Sequence, residues 1–272
     1  MVKLKLTILF ISLILNGVNL VSSEPLTYRF LGYKNDAPVF GTIEDSKFCR
    51  YKDSLITVGE FDSNLKPMFV NDVVDIFINK TQKNQLIVKK GSKNISLELT
   101  EKPYSICATN SGDSIFYTNY NEDGAGVTLL TNGKSTELSN IKAAKLETVI
   151  GKYLYYLKYT EKGYPWIDVC RIRIDGDYNS ETILNNLHIE KVNVLPNGNI
   201  VTSVFFNGEF ISVVYNFINK KFNKLSCNGY KQGYYPFKIA DNGLYFYKAK
   251  GFKVYEVSLE NELCLERHLP KE

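Results

Sequence analysis

Side chains that titrate near neutral pH are almost missing from this chain. Its 272 residues hold 2 histidines, His188 and His268, so general acid–base chemistry near pH 7 has few carriers. His188 stands in Asn186-Leu187-His188-Ile189-Glu190, which reads as a connection between strand groups, and His268 lies near the C-terminal end. There is no Gly-x-Ser-x-Gly elbow and no His-Glu-x-x-His helix, the signatures of acyl-transfer serines and zinc peptidases. The 5 cysteines include no Cys-x-x-Cys spacing, which leaves zinc-ribbon and thioredoxin-like readings without support. Alanine is sparse, and no amphipathic helical period lasts three turns. A formal charge of +4 is too small an excess to suggest a dedicated nucleic-acid face, so no nucleic-acid partner is expected.

One long apolar run is present, from Leu6 to Leu15, preceded by Lys3 and Lys5. A run of roughly ten residues is half the ~20 needed to span a bilayer. Val21-Ser22-Ser23 supplies small residues before Glu24, the pattern of a cleaved secretory signal. Residues 1–23 are therefore expected to be a signal peptide and 24–272 a single domain, extracellular and without a membrane span. Loss of Lys3 and Lys5 lowers the formal charge from +4 to +2. Secretion gives meaning to two glycosylation sequons, Asn79-Lys80-Thr81 and Asn94-Ile95-Ser96. It also permits disulfides, although Cys49, Cys107, Cys170, Cys227 and Cys264 read equally well as small buried residues within strands. If bridges form, Cys49 with Cys264 is the pair that would tie the first strand group to the last.

The remainder is dominated by tyrosine, phenylalanine and branched residues in short alternating runs, the pattern of half-buried strands. The clearest unit is a strand at Lys152–Tyr159, a Gly-Pro loop, a strand at Ile167–Ile174, an Asp-Gly turn and a short strand at Glu181–Leu184. Gly112, Gly151, Gly198 and Gly243 each open a comparable unit, at intervals of 39, 47 and 45 residues. That is the period of a four-stranded propeller blade. A lone four-stranded sheet cannot bury both of its faces, whereas sheets stacked around an axis can. The expected fold is an all-β propeller of four-stranded antiparallel blades, six by a count of roughly 24 strands.

Phe116-Tyr117-Thr118-Asn119 and Tyr155-Tyr156-Leu157-Lys158 lie where a Tyr-Trp-Thr-Asp strand would stand, and Ile174-Asp175-Gly176 matches the Leu-Asp-Gly turn that follows it. The middle half of the chain thus resembles the YWTD propellers of low-density-lipoprotein receptors and the TolB-like six-bladed propellers. No blade carries the full signature. The resemblance implies extracellular protein binding and transfers no binding residue.

If each blade begins at the central axis, the tight turns containing Gly112, Gly151, Gly198, Gly243 and Asn132-Gly133 share one end of the ring. Gly133-Lys134-Ser135 is then a hairpin turn and not a phosphate loop. The opposite end receives the loops 120–125, 159–166 and 228–235, with Tyr120, Tyr159, Tyr164, Trp166, Tyr230, Tyr234 and Tyr235. Tyrosine and tryptophan offer contact area and a polar tip at low entropic cost, which suits a recognition face. The alternative is that they pack over blade edges. Asn119, Asn121 and Asp123, ahead of Gly124, are spaced like the first half of a calcium loop but lack its bidentate glutamate. No other cofactor is suggested.

The expected function is a secreted, non-enzymatic module that binds an extracellular protein or glycan through the aromatic loops. The alternative is a propeller hydrolase or lactonase with calcium in the channel, which needs Asp, Glu, Asn or His converging on the axis from the innermost strands. The segments Tyr104–Cys107, Lys142–Glu147 and Lys191–Leu195 offer only Glu147 and Asn193 for that role. Expressed in a secreting host, the chain is expected in the medium with its N-terminus near Glu24. Mass spectrometry should show added mass if Asn79 or Asn94 is glycosylated, and an intact N-terminus on cytosolic protein would overturn the compartment.

Overall fold

Branched and aromatic residues set the strands, and the burial of those strands shows what they pack against. The computed structural model describes residues 26–42, 44–119, 125–188, 192–195, 197–206, 209–225, 234–240 and 243–263. All regular elements among them are strands, and no helix there is long and apolar enough to cross a membrane.

The strands form successive antiparallel meanders. The first contains β1 (Tyr28–Lys34), β2 (Ala37–Thr42), β3 (Lys47–Tyr51) and β4 (Leu55–Glu60). The second contains β5 (Leu65–Val70), β6 (Val74–Asn79), β7 (Gln85–Lys90) and β8 (Lys93–Glu98). The third contains β9 (Pro103–Ala108), β10 (Ser114–Asn119), β11 (Ala125–Thr131) and β12 (Lys134–Ala143). The fourth contains β13 (Lys145–Ile150), β14 (Tyr153–Tyr159), β15 (Trp166–Arg173) and β16 (Ser180–His188). The fifth contains β17 (Asn193–Val194), β18 (Ile200–Phe206), β19 (Glu209–Asn216) and β20 (Lys221–Leu225). The last contains β21 (Tyr234–Ala240), β22 (Gly243–Lys248) and β23 (Lys253–Leu263).

The second strand of a meander is buried on both faces. In β10, Ile115, Phe116, Tyr117 and Thr118 are all buried, and so are Leu154, Tyr155, Tyr156 and Leu157 in β14. The outer strands β4 and β8 are mostly exposed. A sheet apolar on both faces must lie between two others, and the side-chain clusters show that it does. Ile76, Leu86, Ile106 and Ile115 join the second and third meanders, and Phe116, Val127, Leu154 and Ile172 join the third and fourth. Leu157, Val169, Ile200 and Val213 join the fourth and fifth, and Val201, Val214, Leu244 and Phe246 join the fifth and last. Leu31, Val39 and Val70, with Phe48, Phe61 and Phe77, join the first and second.

The ring closes between the last meander and the first. Phe40, fully buried in β2, meets Tyr247 and Phe252 at 4.9 Å and Phe237 at 5.5 Å between ring centroids. Edge-to-face aromatic pairs add about 0.5–1.5 kcal/mol each to simple area burial. Backbone bonds reinforce the closure, with Tyr28 N donating to Ala249 O at 2.8 Å and Gly251 N to Leu26 O at 2.9 Å. Phe30 N donates to the Tyr247 hydroxyl at 3.0 Å. Burial pushes the Tyr247 phenol up to about 12, so it stays neutral across physiological pH.

Each meander starts on its innermost strand, and β1 lies parallel to β5 through Gly32 and Val70. A Cβ at Gly32 would strike the Val70 carbonyl oxygen, and its φ of 145° is one that L side chains rarely adopt. Gly32→Ala is therefore expected to destabilise the fold by about 2–4 kcal/mol in urea denaturation. Gly59→Ala, where a Cβ meets nothing within 4 Å, should change stability by less than ~0.5 kcal/mol. Equal effects would show that the close approach of β1 and β5 is not a constraint.

Candidate functional site

The innermost strands leave a cavity of about 1130 Å³ on the ring axis, lined by residues of β1, β5, β9, β13, β17 and β21. Four strands return the chain to the end of the ring where a meander began. Each innermost strand therefore starts at the same end, here termed the entry end. The turns between first and second strands lie at the opposite end, where Asp36, Asp72 and Asn110 line the cavity. The Asn132-Gly133 turn has φ values of 51° and 75°, the positive pair that a type I′ hairpin requires.

Charge is divided along this axis. At the entry end, Arg29 and Lys66 are the second residues of β1 and β5, and Lys102 immediately precedes β9. Lys145 and Glu147 of β13 also line the cavity. Lys145 Nζ lies 2.6 Å from Glu147 Oε1, close in distance though off hydrogen-bond alignment, and Val194 N donates to Glu147 Oε2 at 3.3 Å. Asn193 of β17 completes this part of the wall. The innermost strands thus bring Glu147 and Asn193 to the axis, as the sequence suggested, with the glutamate already engaged.

The aromatic residues expected at the entry end are partly assembled there. Tyr164 occupies the β14–β15 turn and is 64% exposed. Trp166 is the first residue of β15, paired with His188 of β16, and not part of the loop before it. Its indole lies edge-on to the His188 ring at 6.1 Å, with Lys162 Nζ 5.7 Å above it. His188 accordingly ends a strand and does not stand in a connection. Tyr159 packs partly buried against the core between the fourth and fifth meanders. Tyr234 and Tyr235 belong to β21, and Tyr235 lines the cavity, 45% exposed. Tyr120 and Tyr230 lie outside the described residues. Tyr104 of β9 lines the same mouth and is 48% exposed, an aromatic that loop-based reasoning left out. Its place as the second residue of an innermost strand was the available signal.

The half calcium loop is described only at Asn119, the last residue of β10, since Asn121 and Asp123 fall outside the described residues. Among the described residues no group of three or more His, Cys, Asp or Glu is placed to hold a metal ion. The turn Asp175-Gly176-Asp177, whose oxygens have a similar spacing, has its first carboxylate committed, with Arg173 and Lys152 within 2.7 Å of Asp175 and holding it down to about 2. Asn79, half-buried, donates its amide nitrogen to Gln85 and accepts from Thr81, whereas Asn94 is exposed on β8. Cys49, which would pair with Cys264 if a bridge formed, is a buried free thiol 3.8 Å from Thr57 Oγ1, and Cys264 lies outside the described residues.

No protein-family model and no curated protein matches the chain, but solved structures do. A structure of a nidogen/laminin complex superimposes at a TM-score of 0.51, with 10% identity, over 91% of this chain and 95% of that one. Hsv2 of Kluyveromyces lactis superimposes at 0.52, with 11% identity, over 89% and 99%. The chain is a β-propeller. A TolB structure from Acinetobacter baumannii aligns at 0.47, with 12% identity, over 93% and 67%. Likeness at such identities concerns the fold alone, so the chemistry of the propeller must come from its own residues.

Thiol chemistry is one that these residues suppress. Burial pushes the thiols of Cys49, Cys107 and Cys170 above the usual range, and Glu147 adds to the effect at Cys107. A high pKa leaves little thiolate, the reactive form. In a Cys227→Ser/Cys264→Ser variant, an aromatic disulfide reagent should titrate all remaining thiols only after denaturation. Stoichiometric labelling of the native variant would contradict this packing.

Proposed function

We propose that this propeller is a secreted, non-enzymatic binding module that recognises an extracellular protein or glycan with its entry end. The observation that carries the reading is the distribution of exposed aromatics. The exposed tyrosines among the described residues are Tyr104, Tyr164 and Tyr235, and all stand at that end. The exposed aliphatic residues lie elsewhere, with Ile56 and Val58 on β4, Ile95 on β8 and Ile218 in the β19–β20 turn. Phenol rings bring apolar area and a hydrogen-bonding tip with few rotatable bonds, which favours them as binding anchors.

Trp166 borders this face with one side against His188 and Lys162. Tyr164 and Trp166 together form an aromatic edge outside the axial mouth, and Tyr104 and Tyr235 form an inner one. The extracellular reading rests on the leader-like segment at residues 1–23, the two sequons and the YWTD-like resemblance. The hydrolase reading has less to draw on, because among the described residues Glu147 is the one carboxylate at the entry end of the cavity and Lys145 holds it.

The reading is tested by pull-down from extracellular fluid, followed by affinity measurements on the captured partner. Tyr164→Ala and Trp166→Ala should each weaken binding by ~2 kcal/mol or more. Tyr164→Ala should leave stability within about 0.5 kcal/mol. Trp166→Ala is expected to cost up to ~1 kcal/mol, because its contact with His188 is lost. Asn132→Ala, in a turn at the opposite end, is the control and should leave binding unchanged. If both aromatic variants bind as the parent does, the entry end is not the contact face.

A further inference from the structure

Among the described residues, three cations at the entry mouth take part in no ion pair. Arg29, Lys66 and Lys102 stand at the start of three successive innermost strands and line one cavity. The Arg29 guanidinium is partly buried, and its Nη1 donates to the Met68 thioether Sδ at 3.7 Å. The ion pairs among the described residues join other groups, and none includes these three. Glu147 could have served the mouth, but Lys145 holds it. Asp36 and Asp72 line the far end of the cavity, about 20 Å away at ~3.3 Å per strand residue. That separation is more than twice the ~8 Å screening length of physiological salt.

Lys66 senses both of the other charges. Partial burial of the otherwise exposed Lys66 holds its ammonium below the usual lysine range, and the charges of Arg29 and Lys102 lower it further. Burial likewise lowers Arg29, with the phenols of Tyr247 and Tyr104 close enough to oppose the shift. Gathering like charges in a partly desolvated mouth costs stability unless an anion offsets it. A guanidinium fork with two ammonium groups ranged beside it suits a tetrahedral oxyanion, which takes two parallel bonds from arginine and point charges from lysine.

We propose that the entry mouth is an oxyanion site, in which Arg29, Lys66 and Lys102 hold a doubly charged sulfate or phosphate group beside the exposed rings of Tyr104 and Tyr235. The assignment rests on the entry end as the binding face and names the chemistry of its ligand. A dianion matches the mouth better than a single carboxylate, which would leave most of the positive charge uncompensated. The group can come from a free inorganic anion or from an ester on a larger ligand such as a glycan, with the tyrosine rings available to the body of the latter.

The test uses the folded propeller and three probes at matched ionic strength: sodium sulfate, sodium phosphate and sucrose octasulfate, with sodium chloride and sucrose as controls. Calorimetric titration should show saturable binding of at least one oxyanion probe and none of the controls. Sucrose octasulfate binding far more tightly than inorganic sulfate would identify an ester as the source, and comparable affinities would identify a free anion. Lys66 and Lys102 are exposed, so Lys66→Gln/Lys102→Gln should fold normally. Without ligand it should melt no lower than the parent, because a repulsion has been removed. Its oxyanion affinity should fall ~100-fold, about tenfold for each charge-assisted contact. Undiminished affinity in this variant, or a response to chloride equal to that of the oxyanions, would overturn the proposal. Tyr164→Ala should leave the oxyanion isotherm unchanged while weakening partner binding, so this site and the aromatic contact face fail independently.

Discussion

Lateral packing of doubly apolar sheets is the constraint on which the rest of this propeller depends. The second strands of its blades bury both faces, as the run Leu154–Leu157 shows, and no blade could keep such a strand from water alone. Every blade needs two neighbours, and a row of blades meets that need at both ends only by closing. The seam between the last blade and the first is therefore as heavily built as any other. There Phe40 lies fully buried among Phe237, Tyr247 and Phe252, and a Phe→Ala change at such a site typically costs 3–5 kcal/mol.

Closure creates the axial cavity as a by-product, and the innermost strands carry the marks of facing it. Such a strand pairs along one edge and presents the other to the channel, so it tolerates residues that a central strand would not. Pro67, Pro103 and Pro236 lie in β5, β9 and β21, where proline's missing N–H can face the open side. The same exposure allows lysine and arginine to stand at the strand starts. The channel wall is thus the part of the propeller least governed by packing and most open to variation in chemistry.

Much of the ring was legible in the sequence because its punctuation is local. Gly112, Gly151 and Gly198 adopt positive φ at turns from first to second strand, and their spacing revealed the repeat. The innermost positions at Tyr104–Cys107, Glu147 and Asn193 were also legible. Strand β5 was not, because Lys66 and Pro67 interrupt its apolar run. The pairing of β23 with β20 joins distant segments and leaves no local trace. Trp166 was read as part of a loop because the Gly-Pro stretch before it hides where the strand begins. The cationic mouth escaped notice for a different reason. A formal charge of +4 over the chain averages away three basic residues that lie 37 and 36 positions apart and meet only when the ring closes.

The seams of the ring are not joined alike. Among the described residues, the last blade is tied to the first by backbone bonds at Tyr28 and Gly251. The first is tied to the second through Gly32 and Val70, and the fifth to the last through β20 and β23. The third and fourth blades are reached through side chains. Asn71 Nδ2 donates to Thr109 O at 3.0 Å, Leu146 N donates to Ser105 Oγ at 2.9 Å, and Val194 N donates to Glu147 Oε2 at 3.3 Å. Mechanically, the blades bound by main-chain bonds form a clasp, and the third and fourth blades are seated in its gap. Sub-global opening follows the weakest boundaries, so the boundaries of the third and fourth blades are where the ring parts and where the channel, closed from the side in the native ring, first admits solvent laterally.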